Sequence, residues 1–558
     1  MSLYESKVVR ALEQVENENP GPINVLAAEI ETCPDDVLVP VLKRLTSEIN
    51  RLDSISTTPF VGAILRIHLS GRSELFNSVY TRFLTLLTSL NPKWWTPVAH
   101  KLVSDFILDP SHTAIHHNLV QQIFKLVPTS QPKFERILVT HFPHKHETAD
   151  HTISYVKNLL LILNYAPQMQ QTVWGLIIER VVQLDVECDD NEDFEDEDED
   201  EEDEDEDEDD DDEPDAVDQD NDVEMRAVEA QPDVEGILLT SSQLADLETG
   251  DLVKIHDKLD SIMVVLIEYL DKKFSPETID HSIPLFIVLL DKFKEFVVPT
   301  HTTRCVQFLM FRIVHSRQDL MDAFLVTMID MAVDPLLKIE KRQKAMQYIS
   351  SFIARAKGLS RDQIIKVIAF LAKWLNRYIT EREHEVDEGA NMSRFRMFYA
   401  ASQALFYIFC FRHAILMVPG SSSEWEASLD KVFQRAVLSK FNPLKYCKRT
   451  VAYKFSRIAQ TYNVVYCFSI IEQNRVGRFL SANLSSQDTQ RAPLNWPNRK
   501  DFVVLESYFP FDPLSLRKTS DIIAENYIEW DDVNQDESDS DSYDSEEDDS
   551  SGESDEME

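Results

Sequence analysis

The chain has 558 residues, 43% of them apolar and only 11 of them glycine, with a formal net charge of −43. That length holds one large repeat array or a few ordinary domains. Tight hairpins and phosphate-cradling loops need glycine at positive φ, so this poor supply argues against a β-sandwich or a nucleotide-binding α/β sheet and suits long helices.

The acidity is local. Residues 185–235 hold 33 Asp and Glu with one Arg, and residues 529–558 hold 16 with no Lys or Arg. The other 477 residues carry 49 acids and 54 bases, so the folded part is close to neutral or mildly basic. The six cysteines (Cys33, Cys188, Cys305, Cys410, Cys447, Cys467) are far apart, which predicts reduced thiols in the cytosol or nucleus. Met1 to Glu18 is charged throughout, with no apolar signal region. The most lipid-like stretch, Ala404 to Val418, is interrupted by Arg412 and His413 and is too short to span a bilayer, so it is read as a buried helix.

Along the chain, helical periods alternate with short breakers. Ile115–Val127 ends at Pro128-Thr129-Ser130-Gln131-Pro132, and Phe134–His141 ends at Phe142-Pro143. Ile153, Val156, Leu159, Leu160 and Leu163, then Val173, Ile177, Val181 and Leu184, form two apolar stripes. Residues 150–184 are therefore predicted as an antiparallel helix pair of roughly 35 residues, near the length of a HEAT-type repeat. Residues 195–213 are nineteen consecutive Asp and Glu, which predicts a disordered, extended segment. Past it, helices are predicted at 252–273, 281–297, 302–316, 319–333, 337–357, 361–380, 394–417, 424–440 and 447–473, the last broken near Tyr462. Gly358 is expected to stop a helix in the left-handed conformation, and Ser360 with Gln363 to form a capping box on the next. Ser481–Pro497 reads as a loop, and the tail from Asp531 as mostly Asp, Glu and Ser.

The expected architecture is all-α: a HEAT-type helical repeat solenoid with a disordered acidic insertion and an acidic tail. The expected divisions are N-terminal repeats at 1–184, the acidic loop at 185–235, C-terminal repeats at 236–528 and the tail at 529–558.

Catalytic signatures are missing. No phosphate-binding glycine loop and no G-x-S-x-G elbow occur. His146-Glu147-Thr148-Ala149-Asp150-His151 misses H-E-x-x-H by one residue and precedes a predicted helix instead of lying inside one, so solvated or capping histidines are the simpler reading, even with His141 and His144 nearby. No enzyme, cofactor or metal is expected. Phe395, Phe398, Tyr399, Phe406, Tyr407, Phe409 and Phe411 surround their helix, which favours core over a partner groove. Lys341, Arg342 and Lys344, with Arg355, Lys357 and Arg361, are either a solvated face or a basic patch making weak, non-specific DNA contact. In the tail, Ser538, Ser545 and Ser550 each precede an acid by three residues, the pattern of acidophilic kinases, and are phosphorylation candidates.

Several stretches are more particular than generic helix. They are Tyr155-Val156-Lys157-Asn158-Leu159-Leu160, Leu184-Asp185-Val186, Pro299-Thr300-His301 with Val306-Gln307-Phe308, Tyr348 to Lys357, Phe398 to Ala404, Phe411-Arg412-His413, Asn442-Pro443-Leu444-Lys445 and Phe509-Pro510-Phe511-Asp512-Pro513. Together, over roughly residues 90–530, they resemble the RNA polymerase I-specific transcription initiation factor family. The resemblance implies a HEAT-repeat fold without catalysis, binding to RNA polymerase I near its stalk, and a bridge to the promoter-bound core or selectivity factor at ribosomal RNA genes. It also implies self-association when free, regulation by phosphorylation, and residence in the nucleus and nucleolus, with no membrane. It places a serine-bearing polymerase surface on the N-terminal repeats, where Ser111 and Ser130 are candidates because each lies in a predicted exposed turn. The alternatives are a helical-repeat nuclear transport receptor or an acidic histone chaperone.

Overall fold

The computed structural model describes residues 3–69, 71–189, 241–301, 303–388, 392–421, 424–482, 505 and 508–530. The acidic run 195–213, the tail beyond Trp530 with its three serines, and most of Ser481–Pro497 lie outside the described residues.

The first half is a stack of ten helices: α1 (Leu3–Glu16), α2 (Gly21–Glu29), α3 (Asp35–Ser47), α4 (Thr58–Arg66), α5 (Glu74–Leu90), α6 (Trp95–Ser104), α7 (Pro110–Leu126), α8 (Gln131–Thr140), α9 (Ala149–Ile162) and α10 (Gln170–Asp189). Each helix packs on the one two places on, so odd helices form one layer and even helices the other. That is the solenoid geometry, and it comes from amphipathic stripes too wide to bury against a single neighbour. Helix α5 is representative. It buries Phe76, Tyr80, Phe83, Leu84 and Leu87 on one side, and the Ser73 side chain at its start accepts the Phe76 N–H.

The second half continues the stack. Helix α11 (Ser241–Lys273) packs on α9 and α10, and α12 (Ile279–Lys292) packs on α10. Next in the chain are α13 (Phe308–Val314), α14 (Gln318–Val333), α15 (Ile339–Arg355), α16 (Arg361–Arg382), α17 (Arg396–Leu416), α18 (Leu429–Val437), α19 (Arg449–Thr461), α20 (Phe468–Ala482) and α21 (Arg517–Ile523). The buried apolar residues form one cluster running from Val8 to Tyr527. At about 1.5–3 kcal/mol for each fully buried large apolar side chain, this continuous core is the main stabilising term.

The all-α solenoid is as expected, and so is the capping box: Ser360 accepts the Gln363 N–H while Gln363 returns to the Ser360 N–H. The break near Tyr462 is also present, between α19 and α20. Four expectations are corrected. Residues 303–307 are not helical, because backbone N–H groups there turn toward the buried carboxylate of Asp185, and the helix begins only at Phe308. Gly358 is not left-handed. Its value is space, since a Cβ there would lie 2.6 Å from the Met321 methyl and 3.1 Å from the His315 ring. Helix α10 runs to Asp189, past the expected boundary at 184/185, because Asp185 faces inward. Finally, residues 508–530 are not a further repeat. They run back along the array as a strap, pairing Tyr527 with Ala356 and seating α21 against α11.

Candidate binding surface and its internal supports

Ser111 is exposed in the first turn of α7, where the carboxylate of Asp109 caps its backbone N–H at 3.0 Å. The backbone and hydroxyl of Ser111 together hold the Asp109 carboxyl below its ordinary range. Ser130 corrects the expectation made for it. It is only 2% exposed, its hydroxyl donates to the Val127 carbonyl at 2.6 Å, and its carbonyl accepts the Trp95 indole N–H at 3.2 Å. The proline-rich segment does turn, but the turn is folded inward under Trp95. The two serines therefore do not share a surface.

Directly behind Ser111 sits a buried polar cluster. The Asn158 amide donates to the carbonyls of Phe106 (2.8 Å) and Leu108 (2.9 Å), while its oxygen lies 2.6 Å from the Thr113 hydroxyl and 3.0 Å from His117 Nε2. His117 Nδ1 lies 3.0 Å from the Tyr165 hydroxyl. Burial pushes the His117 imidazole down, so it is neutral at neutral pH. All four hydrogen-bonding positions of Asn158 are used, which fixes the α6–α7 connection against α9 and gives the Ser111 turn a rigid base.

The other sequence candidates have structural roles. Thr148 caps α9, and the Glu147 carboxylate lies 3.2 Å from His151 Nδ1. Among the described residues no cluster of three or more His, Cys, Asp or Glu could hold a metal ion, and no helix is long and apolar enough to cross a membrane. All seven aromatics from Phe395 to Phe411 are buried, as the core interpretation expects. The basic stretch is not one continuous face: Lys357 is exposed, Lys341, Arg342 and Arg361 are half-buried, and the other two turn inward. Arg355 and Lys344 are buried, Lys344 lies 4.0 Å above the Tyr508 ring, Arg342 donates to the Ala332 carbonyl, and Arg361 pairs with Glu426 at 2.7 Å. Burial of Lys344 and Arg355 takes two of the six charges out of any DNA-facing patch there.

The remaining buried charges hold distant parts of the chain together. Asp185, near the end of α10, is 1% exposed, and its carboxylate accepts the backbone N–H of Cys305 (3.0 Å) and Val306 (2.9 Å), with Arg304 at 3.4 Å. Burial pushes its carboxyl up, and these N–H donors pull it back. Lys258 on α11, also buried, donates to the carbonyls of Lys145 (2.6 Å) and Glu147 (2.5 Å). Asp260, on another side of α11, caps the strap helix α21 through the N–H groups of Lys518 and Thr519, each at 3.0 Å. The Gln307 amide donates to the Pro510 carbonyl, and the Ser351 hydroxyl accepts the Phe511 N–H at 2.9 Å. Arg412 caps the end of α15 through the carbonyls of Ile353 and Ala356, and burial lowers its guanidinium to about 10.

Asn158, Asp185, Gln307, Arg355, Arg412 and Asp512 each come from one of the particular stretches singled out in the sequence. Those stretches therefore mark the internal ties of one long scaffold. Comparison with known proteins identifies the scaffold. The family described as RNA polymerase I specific transcription initiation factor RRN3 matches residues 1–535. The chain belongs to the RRN3 family. Membership extends to the first 90 residues, which the sequence stretches did not cover, and it displaces the transport-receptor and histone-chaperone alternatives.

Among RRN3 relatives, the initiation factor of Saccharomyces cerevisiae is 37% identical over 95% of this chain and 90% of its own length. That of Schizosaccharomyces pombe is 30% identical over 88% and 79%, and that of Mus musculus 27% over 85% and 72%. The crystal structure of RNA polymerase I transcription initiation factor Rrn3 superposes with a TM-score of 0.76 at 34% identity, covering 95% of this chain and 99% of the other.

Proposed function

We propose that this protein is a non-catalytic adaptor that docks on RNA polymerase I, near its stalk, and carries it to ribosomal RNA gene promoters by bridging to the promoter-bound core or selectivity factor. RRN3 family membership over residues 1–535 is the observation that carries this reading. A two-layer solenoid supports it physically, since it presents an extended surface to large partners without needing a pocket. The protein acts in the nucleus, within the nucleolus, and self-associates when not bound to polymerase. Ser111, exposed on a rigid N-terminal turn, belongs to the polymerase-facing surface, and phosphorylation there and at Ser538, Ser545 and Ser550 regulates the exchange.

The test is purification of the tagged full chain with identification of the proteins retained. Polymerase I subunits and core-factor subunits are expected. Recovery of neither, from cells in which both are abundant, refutes the adaptor role. Ser111→Glu separates the surface assignment from the role. A charge in the first turn of α7 is tolerated by the helix, but an unpaired charge buried at an interface costs about 2–5 kcal/mol. Polymerase recovery should therefore fall sharply with the core-factor interaction unchanged. Wild-type recovery of both removes Ser111 from the polymerase surface and leaves the adaptor role standing.

A further inference from the structure

Outside its two acidic segments the chain is nearly neutral as a whole, but its positive charge is concentrated in one stretch. Residues 429–482, which span α18 to α20, hold ten Lys and Arg against only Asp430 and Glu472. Outside this segment and the two acidic ones, the remaining 423 residues carry 44 bases and 47 acids. On α19, Arg449, Tyr453 and Arg457 succeed one another at four-residue spacing, and all three are exposed, so they form one basic stripe with an aromatic in its middle.

The strap delivers the chain to that stripe. Trp530, the last residue of the strap, packs on Phe411 with ring centres 4.0 Å apart and planes tilted by 41°, and the Lys454 ammonium of α19 lies 3.8 Å over its ring. Lys448, immediately before α19, is within electrostatic reach of Asp512 in the same strap. Beyond Trp530 the chain continues through residues 531–558, with 15 Asp and Glu and no Lys or Arg. A 13-residue helix is about 20 Å long, well within the span of those 28 residues.

We propose that the acidic tail, residues 531–558, docks along the Arg449–Arg457 stripe of α19 and occupies it against other polyanions. Tethering at Trp530 gives the tail an effective concentration in the millimolar range, which many weak charge pairs convert into steady occupancy. The occupancy is electrostatic and falls with salt. Phosphates at Ser538, Ser545 and Ser550 would each add about −1.5 to −2 charge and tighten it.

Carbodiimide coupling of the full chain, which joins carboxylates to amines in contact, tests this directly. At low salt, links from residues 531–558 should concentrate on Lys448 and Lys454 and disappear in about 0.5 M NaCl, where screening is short-ranged. They should also disappear in Arg449→Glu/Arg457→Glu, which keeps both amines but reverses the stripe. Tail links spread over lysines throughout the array, or links that persist in the reversed variant, overturn the proposal. A second full-chain measurement uses a fluorescent heparin oligosaccharide as competitor. Replacing the 15 tail acids by Asn and Gln should tighten heparin binding about tenfold, and Arg449→Glu/Arg457→Glu should abolish that gain. Equal heparin binding with native and neutralised tails overturns it.

Discussion

Arg355 is completely buried, and its guanidinium meets the carboxylate of Asp512 at 3.2 Å across 157 residues of sequence. The same guanidinium donates to the Tyr407 hydroxyl (3.2 Å) and the Ile528 carbonyl (3.0 Å), and lies over the rings of Phe411, Tyr527 and Trp530. One side chain at the end of α15 thus holds both ends of the strap.

Removing it should release the strap. Arg355→Ala takes the guanidinium from the half-exposed Asp512 carboxylate, which keeps the Tyr407 hydroxyl at 2.9 Å, removes the donor to the Ile528 carbonyl and opens a hole among three rings, at a cost of about 1–3 kcal/mol. Thermal unfolding should fall accordingly, and limited proteolysis should cut first within residues 508–530. A protease pattern identical to wild type would show that the strap does not depend on Arg355.

Asp185 should couple the two halves of the array. In Asp185→Asn the amide group offers one acceptor and points N–H groups toward N–H groups, at a cost of about 1–3 kcal/mol for the buried donors left unsatisfied. Hydrogen exchange should accelerate at the amides of Arg304, Cys305 and Val306 while protection in α3 and α5 stays unchanged. Uniform acceleration over the whole chain would mean instead that the stack unfolds as one unit.

His315 sets an acid limit. Burial lowers its imidazole to about 4, and its Nδ1 lies 2.7 Å from the Phe311 carbonyl. The folded-state value lies below the ordinary value near 6.5, so the folded protein binds this proton less readily than the unfolded chain. The associated stability is complete above pH 6.5 and is lost as pH falls toward 4, in total about 3 kcal/mol. Unfolding midpoints measured from pH 7 to 4.5 should drop more in wild type than in His315→Leu. Parallel curves would assign the acid sensitivity to other groups.

Gly358→Ala should destabilise by about 1–3 kcal/mol, because the new methyl group collides with Met321 and His315. The contact on Met321 is with the end of a flexible side chain, so Met321→Ala should recover part of the loss in the double variant. Purely additive effects would place the strain elsewhere.

What could be read from the sequence was local. Helix positions, the break near Tyr462 and the Ser360–Gln363 capping box are set by residues within a turn or two of one another. The strap was not legible, because Asp260 and Thr519 are 259 positions apart and leave no periodic trace. Ser130 shows the same limit, since Pro128 and Pro132 announce a turn without saying which way it faces. Arg355 did carry a usable signal. It comes after Phe352, Ile353 and Ala354 and precedes Ala356, and a lone charge in so apolar a run is better read as a buried partner than as part of a patch. At the surface, exposure of Ser111 was legible from its turn, but the positive charge that Lys157 brings within reach of the capping Asp109 comes from a separate helix.

The strap also bears on how the protein is made. Domains form from the N-terminus during synthesis at roughly 5–20 residues per second, so α11, α13, α15 and α17 emerge from the ribosome well before the residues that bind them together. Until Arg355 receives Asp512 and Asp260 receives α21, a nascent chain holds buried-type charges and aromatic surface open to water. Completion must await this late-made segment, through contacts of very high sequence separation that close slowly. Newly synthesised molecules therefore pass through an unclasped state in which chaperone engagement is most needed.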